Sequence, residues 1–346
     1  MKRRLTPGPR PTPRARRRRS FTAARAAALA PLLSRLDARL DRTARLAADP
    51  VELPRRYARS ADQEVAGLLA ACLAYGRADL FKPILVRLLD QLGPSPAAAV
   101  DDIAAALVGV STAAGEPEST ALLARFAWFR YRFNRPADLA ALLAAIGTLR
   151  RAHGSLGARF AELFAGAGGG PAGLRPALAA FAAELRAAPP VAALLEGRGP
   201  RGLRHLLPDA AGPGAAKRWN LYLRWMVRGP DGVDLGAWRG LPRAALLMPL
   251  DTHIQRVARR LGLTRRVDAG WRTAEEITAA LRLVDPADPV RYDFALCHLG
   301  MSGACPPRLT PAACAACPLV SACPSASAPA GPRRRPAPRT GRARTR

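Results

Sequence analysis

Residues 204–232 read RHLLPDAAGPGAAKRWNLYLRWMVRGPDG, and the fold follows from how they are parsed. An apolar lead-in meets Pro208, a turn carrying Gly212 and Gly214 follows, and a helix over 215–228 then carries Lys217, Arg218, Trp219, Tyr222 and Arg224. The pattern is helix, glycine turn, helix. Such a turn lets backbone N–H groups approach a phosphate closely, at the positive end of the second helix. Working outward, Ala and Leu dominate, β-branched residues are sparse and no segment alternates as a strand would, so the expected fold is all-α. Helical patterns cover 28–48, 60–76, 79–92, 98–109, 119–132, 137–152, 155–165 and 172–187, with loops at the glycine run 166–170 and at 197–202.

Downstream, residues 247–264 (LMPLDTHIQRVARRLGLT) place Asp251 before a helix whose Ile254, Val257 and Leu261 face inward. Arg256, Arg259 and Arg260 lie elsewhere on its surface, and Gly262 ends it. Thr273 and Glu276 form a candidate capping box for the next helix, and PVRYDFALCHLG (289–300) is the last helix before a cysteine-rich segment. There the spacing is Cys305-x8-Cys314-x2-Cys317-x5-Cys323. Four thiolates in so short a loop can enclose one metal centre. Zinc ribbons usually present two Cys-x2-Cys knuckles, whereas here one knuckle has long, unequal arms. That pattern suits a [4Fe–4S] cube, with zinc as the alternative and unligated or disulfide-bonded cysteines as the plain reading. Cys72 and Cys297 read as small buried residues of apolar helices.

The net charge is +28. Residues 1–20 hold nine basic side chains and 331–346 hold seven, neither stretch has an acid, and removing these sixteen cations leaves +12 for the body. Both ends are Pro/Arg low-complexity and are expected to be disordered basic tails, 1–27 and 326–346. A basic body favours a polyanionic partner. Arg outnumbers Lys 51 to 3, so a Lys inside a folded segment (Lys82 or Lys217) asks for a reason, and an amine can act as a nucleophile where a guanidinium cannot. Every apolar run is broken by a charge well short of a membrane span, so no membrane partner is expected. Arg18-Arg19 only faintly resembles an export signal, and the expected location is cytoplasmic and nucleoid-associated.

Three segments carry a resemblance to a known family: MPLDTHIQRVARRLGL (248–263), LRLVDPADPVRYDFALCHLGMSGAC (281–305) leading into the four cysteines, and EVAGLLAACLAYGRADLFKPILVRLL (64–89). Together they resemble the helix-hairpin-helix DNA glycosylases of the endonuclease III type. The chain also looks like an uncharacterised bacterial domain-of-unknown-function branch of that superfamily. The resemblance implies two helical domains flanking a DNA-binding cleft. The parts would be an N-terminal helix, 28–58, packing with the C-terminal domain, a six-helix-type domain, 59–248, with its modified hairpin at 203–228, and a helical and iron–sulfur domain, 249–325. It departs from the usual hairpin in the residues between Pro208 and Gly212 and in the 34 positions between Lys217 and Asp251. The archaeal 8-oxoguanine glycosylases look similar in that long segment.

What the resemblance implies chemically is removal of a damaged, flipped-out base from double-stranded DNA by a monomeric enzyme. Asp251 would stabilise positive charge on the sugar, the alternative being a plain helix cap. Lys217 would attack C1′ and form a Schiff base, or merely contact a phosphate. Gly212, Gly214, Arg218, Arg224, Arg256 and Arg308 are the candidate DNA contacts. Trp219, Tyr222 and His253 are candidates for the base pocket, with Trp225 and Trp238 as further stacking or core aromatics. His153, His205, His253 and His298 show no metal-ligand spacing. Two rival readings stand beside this: a non-catalytic iron–sulfur DNA- or RNA-binding protein on the same scaffold, and an iron–sulfur redox or sensor protein.

Overall fold

The structure, a computed structural model, describes residues 21–109, 117–195 and 199–326. The basic ends 1–20 and 327–346 lie outside the described residues. Among the described residues the protein is all-helical, with isolated bridges at Tyr131–Asn134 and Gly214–Gly270 in place of strands. The helices in chain order are α1 (Ala23–Ala38), α2 (Arg42–Leu46), α3 (Ser60–Leu73), α4 (Ala78–Leu92), α5 (Pro96–Ala106), α6 (Pro117–Arg125), α7 (Pro136–His153) and α8 (Leu156–Gly166). They continue as α9 (Leu174–Ala187), α10 (Pro189–Leu194), α11 (Arg201–Leu206), α12 (Lys217–Val227), α13 (Thr252–Leu261), α14 (Trp271–Arg282), α15 (Asp293–Met301) and α16 (Pro311–Ala315).

Two helices are apolar nearly all round and therefore sit inside. In α3 every residue from Glu64 to Leu73 is buried, and α7 is buried from Ala137 through Gly147. The helices α5, α8, α9, α10 and α11 pack on α7, while α12 lies on α3. Gly147 allows the closest of these contacts, because a Cβ there would stand 1.9 Å from the carbonyl oxygen of Val100 on α5. The second group of contacts joins α13 to α15, and α15 to α1, whose Ser34 hydroxyl meets the Tyr292 hydroxyl at 3.0 Å.

Polar groups cross-link this core. Glu64 on α3 accepts hydrogen bonds from the amides of Leu156 and Gly157 at the start of α8, each 3.2 Å, from Trp238 Nε1 at 3.1 Å and from the Arg150 guanidinium. Burial pushes its pKa up, and the donors oppose that. Residues 229–246 fold back on α12: the Leu235 amide donates to Trp225 O at 2.8 Å and that of Trp238 to Met226 O at 2.8 Å. The Trp238 ring packs between Phe160 and Tyr222.

Several sequence expectations change. The single helix over 28–48 is two, α1 and α2, because Asp41 caps the second through the Ala44 amide at 3.1 Å. Residues 23–27, read as tail, are the start of α1, capped by Thr22. The helix over 119–132 ends at Arg125, and the chain instead makes a tight turn at 131–134. No Thr273–Glu276 capping box forms, since α14 begins at Trp271 and the Thr273 hydroxyl donates to Asp268 at 2.8 Å. Among the described residues no helix is long and apolar enough to cross a membrane.

Candidate functional site

The start of α12 and the start of α13 meet. Ala216, the residue before α12, takes a left-handed φ of 47°, and α12 has no side-chain cap, so its first amides are left without a side-chain acceptor. Lys217 is its first residue. Asp251 caps α13, with Oδ1 accepting from the Ile254 amide at 2.7 Å. Its other oxygen, Oδ2, lies 3.7 Å from Lys217 Nζ. That separation is an ion pair rather than a close hydrogen bond, so both groups keep capacity for a third partner. The lysine is 40% exposed and the carboxylate 16%.

The pair rests on a buried scaffold. Arg224, one face of α12, is held by Asp234 at 3.1 Å and by Asp293 of α15, while Arg228 pairs with Asp288 at 2.9 Å and with Asp234. Burial drives the Asp293 carboxyl up against the opposing charge of Arg224. On α15, one turn on, the Cys297 thiol donates to Asp251 Oδ2 at 3.5 Å. Burial and the carboxylates of Asp251 and Asp293 push that thiol well up, keeping it a protonated donor. Cys297 was read from the sequence as a plain buried residue, so its contact with Asp251 was missed. The plain reading does hold for Cys72, whose thiol is fully buried and pushed up to about 12.

From the same helix α13, a groove opens on the other side. Gln255, Arg256, Arg259, Arg260 and Arg265 line it together with Pro307 and Leu309, and no acid is among its lining residues. Arg256 bridges to the cysteine segment, donating to Cys305 O at 3.0 Å and to Gly300 O at 2.7 Å. Gly300 permits the approach, since a Cβ there would lie 2.8 Å from His253 Cβ.

Cys305, Cys314, Cys317 and Cys323 all line one small cavity with Arg260, Leu309 and Val320. Arg260 donates to Cys305 Sγ at 3.0 Å and through a second nitrogen to Pro307 O at 2.8 Å. Among the described residues no three His, Cys, Asp or Glu side chains are gathered tightly enough for a single ion.

The remaining sequence candidates separate clearly. Arg218 does not face a phosphate: its guanidinium donates inward to the carbonyls of Cys72 (2.6 Å) and His205. Arg224 is 2% exposed and its Nε and Nη1 donate to the carboxylates of Asp234 and Asp293, so it too is internal. Trp219 and Tyr222 are core rather than base pocket, their polar atoms spent on Pro208 O (2.7 Å) and Glu64 O (3.0 Å). Trp225 and Trp238 are likewise buried. The reason is common to all: α12 lies on α3 with only its N-terminal end free. His253 is half-buried, its Nδ1 3.1 Å from Arg256. Arg308 is exposed beside the cysteines. Gly212 and Gly214 are tied to neighbours: Arg175 donates to Gly212 O at 2.8 Å, and Gly214 bridges Gly270. Lys82, the other folded lysine, reaches Ala47 O at 2.6 Å and Glu52 at 3.2 Å, a structural role.

Comparison with protein families matches residues 49–302 to the family described as Protein of unknown function (DUF2400). This corrects the placement among the helix-hairpin-helix glycosylases, because no match to a glycosylase family accompanies it. The segments that carried the resemblance, 64–89, 248–263 and 281–305, fall almost wholly within the matched range, and what they mark is this family. Neither the curated proteins nor the solved structures provide a match.

Proposed function

We infer the function from the site itself, because the chain belongs to DUF2400, a family whose description assigns no activity: the protein is a DNA N-glycosylase that removes a damaged base flipped out of double-stranded DNA. The observation that carries this is the 3.7 Å approach of Lys217 Nζ to Asp251 Oδ2, on helix starts that are 34 positions apart in sequence. A lone Lys–Asp surface pair would mean little. In this one Asp251 also accepts from the Cys297 thiol, one helical turn from the buried Asp293–Arg224 pair, and an acid-free arginine groove lies on α13.

In this reading the Lys217 ammonium first releases a proton to solvent, and the neutral amine then uses its lone pair to form a bond to C1′ of the flipped nucleotide. The C1′–base bond breaks and its electron pair leaves with the base. The proton lost by the attacking nitrogen passes to Asp251 and on to the departing base, which leaves neutral. The Asp251 carboxylate also offsets positive charge developing on the sugar. The C1′ aminal so formed opens as its C1′–O4′ bond breaks and O4′ takes a proton, and the Schiff base this leaves gives the enzyme a route to strand cleavage. Arg256, Arg259, Arg260 and Arg265 provide the phosphate track.

The four cysteines fit a [4Fe–4S] cluster by their common cavity and by the Arg260 donor to Cys305 Sγ. Bound there, the cluster supplies a rigid anchor for a segment too small to have a core of its own. The test is incubation of the full chain with duplexes carrying uracil, an oxidised guanine or an abasic site, followed by borohydride. A covalent adduct that disappears in Lys217→Ala supports the reading. DNA binding with neither base release nor adduct on any of them favours the non-catalytic binder.

A further inference from the structure

The turn at 130–135, Arg-Tyr-Arg-Phe-Asn-Arg, plays no part in the chemistry above, yet it has three unusual properties. The first is charge with an aromatic centre: Arg130, Arg132, Phe133 and Arg135 are all exposed, Phe133 to 49%, and no acid interrupts 126–135. The second is rigidity. Tyr131 and Asn134 face inward and bond to each other through both backbone pairs, 3.3 and 2.9 Å. The Tyr131 hydroxyl donates to Tyr75 O, the Tyr75 hydroxyl to Asn134 Oδ1, and Asn134 Nδ2 to Gly202 O at 2.9 Å. The third is strain: Arg132 has φ 54°, where glycine is the ordinary choice for a turn residue. Strained backbone held this firmly points to a side chain that is needed.

The Phe133 ring stands edge-on to His205 at 4.6 Å and 6.4 Å from Tyr75, over which the Arg218 guanidinium lies at 5.3 Å. Arg218 adjoins Lys217. The turn therefore flanks the N-terminal end of α12, the end that carries the reactive pair. An exposed ring fixed between arginines suits one ligand chemistry: an unpaired base that can stack, with phosphates on either side.

We propose that the Arg130–Arg135 turn is a stacking contact for nucleic acid, in which Phe133 occupies the face of an unstacked base in DNA while Arg130, Arg132 and Arg135 hold the neighbouring phosphates. It extends the glycosylase reading by naming how the opened duplex is held, but it is a binding claim and needs no bond to break. It also supplies the aromatic contact that Trp219 and Tyr222, being core, do not.

The experiment compares binding of the full chain to an intact duplex and to the same duplex carrying a tetrahydrofuran abasic analogue, across a salt series. The wild type prefers the abasic duplex. Phe133→Ala loses that preference by about tenfold or more with the salt slope unchanged, and Phe133→Trp retains it. Arg132→Gly, which relieves the strained φ, keeps its melting temperature or raises it, yet lowers the salt slope by roughly 0.9. If Phe133→Ala binds both duplexes like the wild type, or Arg132→Gly leaves the slope unaltered, the proposal falls. In the wild type, absence of covalent trapping with the abasic preference present counts against the chemistry alone, and trapping without that preference counts against the turn alone.

Discussion

Asp251→Asn separates the two jobs of one carboxyl group. Oδ1 accepts the Ile254 amide at 2.7 Å and so caps α13, while Oδ2 faces Lys217 at 3.7 Å. Asparagine caps a helix about as well as aspartate, so the fold should lose only the charge–dipole contribution of ~0.3–1 kcal/mol. The ion pair adds little to stability: at 3.7 Å Coulomb attraction is about 1 kcal/mol in a water-like medium, and the 40% exposure of Lys217 puts the pair near that end. Melting should therefore shift by a few degrees at most. Base release should fall by on the order of 10²–10⁴, the usual worth of a positioned proton-transfer group. Asp251→Ala, which deletes the cap as well, should cost a further ~1 kcal/mol of stability with a similar rate. Single-turnover release from a damaged duplex, read beside thermal melts, checks both. Release by Asp251→Asn within about tenfold of wild type would refute the catalytic role, whatever the melts show.

Gly147→Ala should destabilise the protein by roughly 1–3 kcal/mol or more, because the new methyl meets Val100 O at 1.9 Å and backbone cannot give way as a side chain can; urea melts check it. Arg224→Met should cost about 3–5 kcal/mol by leaving Asp293 buried without its cation and Asp234 with Arg228 alone, read the same way. On the proposed cluster reading, the protein prepared without air should hold about four iron per chain, Cys314→Ala should lower that and bleach the visible absorbance, and Cys72→Ala should leave both unchanged; a colourless, iron-free wild type would refute the cluster. His205 and His298 have pKa values lowered by burial, with Arg218 adding to the effect at His205. A lowered folded-state value means the unfolded chain binds more protons, so stability should fall as pH drops through ~6.5 and below. Chemical melts at mildly acidic and neutral pH should show that loss, and His205→Gln should shrink it.

The helices were legible wherever local pattern and local environment agree. Segments such as 79–92 and 137–152 match α4 (Ala78–Leu92) and α7 (Pro136–His153) closely, because apolar spacing selects a helix without reference to distant residues. The ends of α1 and α6 were not, since Asp41 and the Tyr131–Asn134 bridge act through turns that apolar spacing does not encode. In the candidate site, Lys217, Asp251 and the four cysteines stood out by residue type and spacing. Cys297 did not, because its contact with Asp251 depends on α15 lying beside α13. The aromatics and arginines of α12 were misread for the same reason: Trp219, Tyr222 and Arg224 have the chemistry of contact residues, and only the packing of α12 on α3 turns them inward.

Read alone, the chain determines its helical class, its basic character and the cysteine spacing, since each depends on composition or on neighbours a few residues away. It also marks one lysine and one aspartate as unusual without saying that they meet. Their meeting, the shared cavity of the four thiols and the exposure of Phe133 on a strained turn all depend on which helix faces lie against one another. That choice is made by burial of apolar surface summed over the whole chain, a global quantity that no local stretch of sequence expresses.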